Sequence, residues 1–181
     1  MRWSRTARTL VLGGARSGKS GYAEQLLRAT TAVHYVACGP APSAEDPEWA
    51  ERVARHQARR PPTWDTLETT DVAAVLRRPG PSVLIDCLTT WLARVMDECH
   101  VWDDTPAADT ALAARIDELV RAWTDTARRV VAVSNEVGSG IVPATPSGRL
   151  FRDELGVLNM RVAAASDRVC LVTAGIPQRL R

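Results

Sequence analysis

The chain has 181 residues, a formal net charge of +2 and 24% charged residues. That length suits one domain burying roughly two-thirds of the surface its unfolded form exposes, and the near-neutral balance excludes a strong field for nucleic acid or membrane. No run approaches the ~20 apolar residues of a membrane span, and Cys38, Cys87, Cys99 and Cys170, with neither CxxC nor zinc spacing, read as core thiols of a cytoplasmic chain.

Residues 1–7 carry Arg2 and Arg5 but no following apolar region or small-residue cleavage site, so they read as a ragged extension, with 8–181 as a single domain. Thr9 to Leu12 is an apolar run of strand type. Gly13 to Ser20 then reads GGARSGKS, and Tyr22, Leu26 and Leu27 recur at helical spacing. Strand, glycine-rich turn and helix in that order match G-x-x-x-x-G-K-[ST], the phosphate loop. Gly13 and Gly18 let backbone N–H groups wrap a phosphate, Lys19 reaches the β/γ oxygens, and the Ser20 hydroxyl holds Mg²⁺. Such a string arises by chance in roughly one in two hundred chains of this length. Of the 23 basic residues 22 are Arg, and the single Lys is Lys19, the one place where a compact point charge suits a phosphate better than a planar fork. The nucleotide-binding set predicted here is Gly13, Gly14, Ala15, Arg16, Ser17, Gly18, Lys19 and Ser20.

Val33 to Ala37 is a second β-type run, followed by a loop from Cys38 to Pro47. Glu48 to about Arg59 reads as a helix with Pro47 at its start and Asp46 as cap. Trp49, Val53 and His56 share its apolar stripe, where a structural histidine is the commoner case. Arg52, Arg55, Arg59 and Arg60 surround His56, and positive neighbours favour the neutral, nucleophilic imidazole; the same arginines also suit a solvated face or a grip on triphosphate. His34 and His100 receive no role. Thr63 to Thr69 reads as a strand and Asp71 to Arg78 as a short helix.

Ser82 to Ile85 is apolar and ends in Asp86, which is either a Mg²⁺-directing carboxylate or the N-cap of a helix over Leu88 to Glu98; beside a phosphate loop the metal reading is favoured. His100 to Ala108 reads as a surface loop, Asp109 to Arg128 as a long amphipathic helix and Val130 to Val133 as a strand. Asn135 to Ser147 is a Gly/Pro-rich loop long enough to be functional. Its Glu136 is open between base, metal support and turn residue. A helix over Arg149 to Ala165 and a strand over Arg168 to Val172 close the chain. Strands alternating with helices predict an α/β fold, a mostly parallel sheet with helices on both faces and ligands at the carboxyl ends of its strands.

Five segments carry a resemblance beyond the phosphate loop: RVARHQARRPPTW (Arg52 to Trp64), LIDCLTTW (Leu84 to Trp91), SNEVGSGIVP (Ser134 to Pro143), FRDELGVLN (Phe151 to Asn159) and AGIP (Ala174 to Pro177). With them the chain resembles the bifunctional adenosylcobinamide kinase/adenosylcobinamide-phosphate guanylyltransferases of cobalamin biosynthesis, from Thr9 to Arg181. The resemblance implies a single-domain, RecA-like P-loop NTPase fold. It implies phosphorylation of adenosylcobinamide by ATP or GTP, then transfer of GMP from GTP to adenosylcobinamide phosphate. It identifies His56 as the guanylylated nucleophile; Lys19, from the phosphate loop, and Glu136, from the long loop, complete the expected catalytic set. It adds Arg59, Arg60, Glu68 and Asp86 to the nucleotide contacts, and seats Mg²⁺ between the nucleotide, Ser20 and Asp86. A homo-oligomer, a trimer, is implied too; nucleic acid and membrane are not. The chain departs from the family pattern at Arg55, where a second histidine is common, and at Met160, where Gln is common. Two other readings stand: a P-loop kinase of another small hydroxylated substrate with a structural His56, and a nucleotide-gated nucleic-acid-binding module. The second has little support from 5% aromatic residues.

Overall fold

A computed structural model describes residues 7–103 and 105–181. The extension expected over 1–7 lies outside them except for Ala7, which is buried and whose carbonyl accepts the Val130 N–H. Seven strands form one sheet. They are β1 (Arg8–Gly13), β2 (Val33–Ala37), β3 (Trp64–Glu68), β4 (Ser82–Asp86), β5 (Val130–Asn135), β6 (Arg168–Thr173) and β7 (Ile176–Arg179), in the order β3-β2-β4-β5-β1-β6-β7. All neighbours are parallel except β6 and β7.

The helices are α1 (Lys19–Leu27), α2 (Pro47–Arg59), α3 (Val72–Arg77), α4 (Leu88–Glu98), α5 (Pro106–Asp125) and α6 (Pro146–Ala164). Side-chain alternation along the strands divides the core in two. Leu10, Leu12, Val83, Ile85, Val130 and Ala132 pack against α3, α4, α5 and α6. Val11, Leu84, Val131 and Val133 pack against Ala23 and Leu27 of α1. Both faces are covered, as expected, but unequally. Helix α2 buries none of its residues fully, so its apolar stripe does not join the core.

Several boundaries move for local reasons. Asp46 caps α2 by accepting the Trp49 N–H, with Pro47 in the first turn, as the sequence implied. The same pairing occurs at Thr105/Pro106 and Thr145/Pro146, so α5 and α6 each begin three residues before the predicted starts. Helix α5 ends at Asp125, not Arg128. Arg128 is buried instead, and its guanidinium donates to the carbonyls of Val75 and Pro81 at 2.7 Å each, tying α3 to the bottom of the sheet. The predicted surface loop from His100 holds a short 3-10 turn, Val101–Asp103, with Val101 in the core. Asp86 is not a helix cap, because Cys87 occupies that position. Cys38, Cys87 and Cys170 are buried and Cys99 is half-buried, all unpaired.

Strand β7 was not anticipated. Ala174 and Gly175, at φ 51° and 81°, make a two-residue turn that folds it back on β6. Its Pro177 is tolerated at the sheet edge. The turn also reaches the phosphate loop, since the Gly175 N–H donates to the Ser17 carbonyl at 2.8 Å.

Candidate active site

The phosphate loop leaves β1 at the carboxyl edge of the sheet and enters α1 through Gly18. Gly18 has φ 91°, a left-handed conformation that only glycine adopts without strain. Lys19 is buried, and its ammonium donates to the Gly14 carbonyl at 3.0 Å. Burial lowers its pKa from 10.5, with the charges of Cys87 and Asp86 opposing. Gly14, Ala15 and Arg16 are exposed, and the Arg16 guanidinium lies 3.8 Å from Glu48 on α2.

Asp86 ends β4, and the pleat puts it on the α1 face. Its two oxygens face different partners. Oδ1 accepts from the Ser20 hydroxyl at 3.3 Å, while Oδ2 accepts from the Tyr35 hydroxyl at 2.7 Å and lies 3.3 Å from His56 Nδ1. The side chain is 8% exposed. Burial alone would raise its pKa, but the hydrogen bond and charge of His56, with the bonds from Tyr35 and Ser20, prevail and hold it below 3.8. Tyr35 is pushed the other way, far above the usual phenol range, by burial and the adjoining carboxylate.

His56 stands on α2 with its side chain 19% exposed. It lies between two cavities. One is a cleft of about 300 Å³ lined by Arg16 to Gly21, Glu48, Arg52, Arg55, His56 and Arg59. The other is lined by Tyr35, Trp49, Arg60, Glu68 and Asp86 among others, and shares Arg52 and His56 with the first. The apolar stripe of α2 therefore faces a cavity rather than the core. Of the four arginines around His56, three have partners. Arg52 lies over the Trp49 ring, 5.8 Å from its centre. Arg59 forms two hydrogen bonds with Glu24 of α1, at 3.0 and 3.2 Å, and these raise its pKa. Arg60 lies over the Tyr35 ring, 3.3 Å from its centre, and donates to Thr66 at 2.9 Å.

Glu136 is exposed at the start of the long loop. Its N–H donates to the Gly13 carbonyl, and its carboxylate accepts the Gly138 N–H at 2.7 Å. It lines neither cavity. Tyr35 and Glu24 were missed in the sequence. A tyrosine in a core strand whose hydroxyl needs a partner was a signal for the first, and the four-residue spacing from Ser20 along α1 was one for the second.

The donors fit Mg²⁺, a hard cation that takes oxygen ligands: Ser20 offers a hydroxyl and Asp86 a carboxylate, and the phosphates would supply the rest. Glu24, His56 and Asp86 also bring ligand atoms within 4.8 Å of one another, but both oxygens of Glu24 are engaged by Arg59.

A solved structure of a prototypical ATPase from the type III secretion system of pathogenic bacteria shares the fold, with a TM-score of 0.56 and 13% identity over 93% of this chain and 51% of that one. The chain is 39% identical over 179 residues to the bifunctional adenosylcobalamin biosynthesis protein CobP of Pseudomonas aeruginosa, covering 96% of this chain and 97% of that protein. It is 37% identical over 187 residues to the bifunctional adenosylcobalamin biosynthesis protein CobU of Salmonella typhimurium, covering 95% and 98%. A phosphate loop, a carboxylate at the end of β4 and a histidine beside them thus sit in a chain whose residues 9–180 match the model of one family, and the chain belongs to it: cobinamide kinase / cobinamide phosphate guanyltransferase.

Proposed function

We propose that this chain phosphorylates adenosylcobinamide with ATP or GTP, then transfers GMP from GTP to adenosylcobinamide phosphate through a guanylylated His56. The observation that carries this reading is the position of His56 at the junction of the phosphate cleft and the Trp49/Glu68 cavity, with Nδ1 3.3 Å from Asp86. A triphosphate in the cleft and a guanine in the cavity would bring the α-phosphorus to that junction. Glu68 is then the carboxylate available to accept the guanine N–H groups.

In guanylyl transfer, Asp86 accepts a hydrogen bond from Nδ1–H, which keeps the proton on that nitrogen and leaves the Nε2 lone pair free. Nε2 attacks the α-phosphorus, a P–N bond forms, and the P–O bond to pyrophosphate breaks. A phosphate oxygen of adenosylcobinamide phosphate then displaces the histidine and gives adenosyl-GDP-cobinamide. In the kinase step the phosphate loop and Lys19 hold the β- and γ-phosphates while the acceptor hydroxyl attacks the γ-phosphorus. Glu136, swinging from Gly138, takes the hydroxyl proton. Bound Mg²⁺, held by Ser20 and Asp86, would neutralise phosphate charge. Arg52 and Arg55 meet the rest of that charge in the cleft.

Ile141 and Ile176, 96% and 72% exposed, together with Val142 and Leu180, support a homo-oligomer. No helix among the described residues is long and apolar enough to cross a membrane. Incubation with α-³²P GTP tests the mechanism: wild type takes up a covalent label that survives alkali and is released by acid, as a phosphoramidate requires, and His56→Ala takes no label. Label retained in that variant would remove His56 as the nucleophile, and a wild type that takes no label would leave the kinase step alone.

A further inference from the structure

Strand β5 lies between the phosphate-loop strand β1 and the Asp86 strand β4, and its last residue is Asn135. Val131 and Val133 pack on the α1 side, so Asn135, two residues on, falls on that side too. Gly13 follows Val11 and Asp86 follows Leu84 in the same way. In register, Asn135 is beside Gly13, while Asp86 is beside Val133. Asn135 thus stands one pleat beyond Asp86 and next to the first glycine of the phosphate loop.

Its backbone is held from two sides. The N–H donates to Thr89 Oγ1 at 2.8 Å, on the helix that follows Asp86, and the carbonyl accepts from Asn159 Nδ2 at 2.9 Å, on α6. Asn159 is itself only 6% exposed. The side chain is a contrast, because its buried Oδ1 has no hydrogen-bond partner among the described residues. Buried amides are normally satisfied. The strand end is fixed firmly and carries, next to the phosphate loop and just outside the lining of the two cavities, an amide oxygen without a partner; among the described residues Ser17 Oγ in the loop and Asn159 Oδ1 on α6 are also without one. Rotation about Cβ–Cγ exchanges the oxygen and nitrogen ends, so the amide can offer an N–H to an anion.

We propose that the Asn135 side-chain amide donates a hydrogen bond to the γ-phosphoryl group of the bound nucleotide and serves the kinase step, not guanylyl transfer. The division between the two steps rests on the function proposed above; the contact itself does not. A donor at the γ-oxygens gains strength in the transition state only where the γ-phosphoryl is the group transferred.

The test compares wild type, Asn135→Ala and the isosteric Asn135→Asp in the full chain, by calorimetric binding of ADP and of the non-hydrolysable analogue AMP-PNP. The alanine variant is expected to bind AMP-PNP about tenfold more weakly, and the aspartate variant more weakly still through charge repulsion, while ADP affinity stays within about twofold. Kinase kcat should fall by about 10²–10³, with α-³²P GTP labelling of His56 retained. An unchanged AMP-PNP to ADP ratio overturns the contact, as does equal loss of both nucleotides, which a purely structural residue would give. Labelling lost together with kinase activity overturns the assignment to one step. Should wild type phosphorylate no cobinamide, the functional reading fails, and the nucleotide comparison still judges Asn135.

Discussion

Removing the Tyr35 hydroxyl probes how Asp86 is kept ionised. Tyr35→Phe deletes the shortest of three hydrogen bonds to the carboxylate, 2.7 Å against 3.3 Å from Ser20 and from His56, and keeps the ring beneath Arg60. With the Asp86 side chain only 8% exposed, water replaces little of what is lost. A hydrogen bond to a charged group contributes about 1.5–3 kcal/mol, equivalent to roughly one to two pKa units. Asp86 titrates below 3.8 in the folded state, so its contribution to stability is present above that value and is lost as pH falls through the lower folded one. In the variant burial still acts, one donor is missing, and the folded pKa rises. The variant should therefore be about 2 kcal/mol less stable at neutral pH, a fall in Tm of about 4–8 °C for a domain of this size. The gap should narrow in acid as Asp86 takes up a proton in both proteins. Urea unfolding at neutral pH and near pH 3 measures both quantities. A neutral-pH loss below about 0.5 kcal/mol, or a gap that acid leaves unchanged, refutes the account.

His34 supplies a second pH-dependent outcome. Its Nδ1 lies 3.0 Å from the Arg128 guanidinium, and burial and then that charge lower its pKa from 6.5, with Asp65 opposing. A base depressed in this way contributes fully above 6.5 and loses its contribution as pH falls from there through the folded value. His34→Gln, which keeps an acceptor for Arg128, should flatten the stability profile between about pH 7.5 and 5.5 in urea titrations; an unchanged slope would assign that dependence elsewhere. Gly18→Ala forces a side chain into φ 91°, with the new Cβ 3.3 Å from Gly175 Cα. It should cost about 1–3 kcal/mol and weaken ADP binding more than tenfold by calorimetry, and near-wild-type affinity would mean that the loop tolerates another path.

The contrast between what was legible and what was not follows the range of the interactions. The phosphate loop was readable because every requirement is local: glycines where backbone must approach a ligand, then Lys19 and Ser20 at fixed spacing on one turn of helix. The cap at Asp46 was equally local, and so was the alternation of apolar strands and amphipathic helices that gave a parallel sheet. Around His56 and Asn135 the residues alone gave an arginine-flanked histidine and a long Gly/Pro-rich loop, and a specific reaction was legible only as a resemblance. Nothing in the spacing of RVARHQARR says which partner His56 meets, and its stripe with Trp49 and Val53 looked like a core face.

Strand order, β7 and the three donors on Asp86 were settled only in three dimensions. Tyr35, Ser20 and His56 lie 51, 66 and 30 residues from Asp86 in the chain, and no local pattern joins them; the sheet does, by ending β2 and β4 side by side beneath α1 and α2. The AGIP segment shows the same division. Its glycine reads as a turn in the sequence, but its hydrogen bond to Ser17 exists because β6 lies next to β1. Sequence alone thus determined the chemistry of a phosphate-binding turn, since backbone conformation and side-chain reach are set within a few residues. The tertiary structure decided which imidazole, carboxylate and phenol meet beside that turn, because only packing brings groups so far apart in the chain to hydrogen-bonding distance.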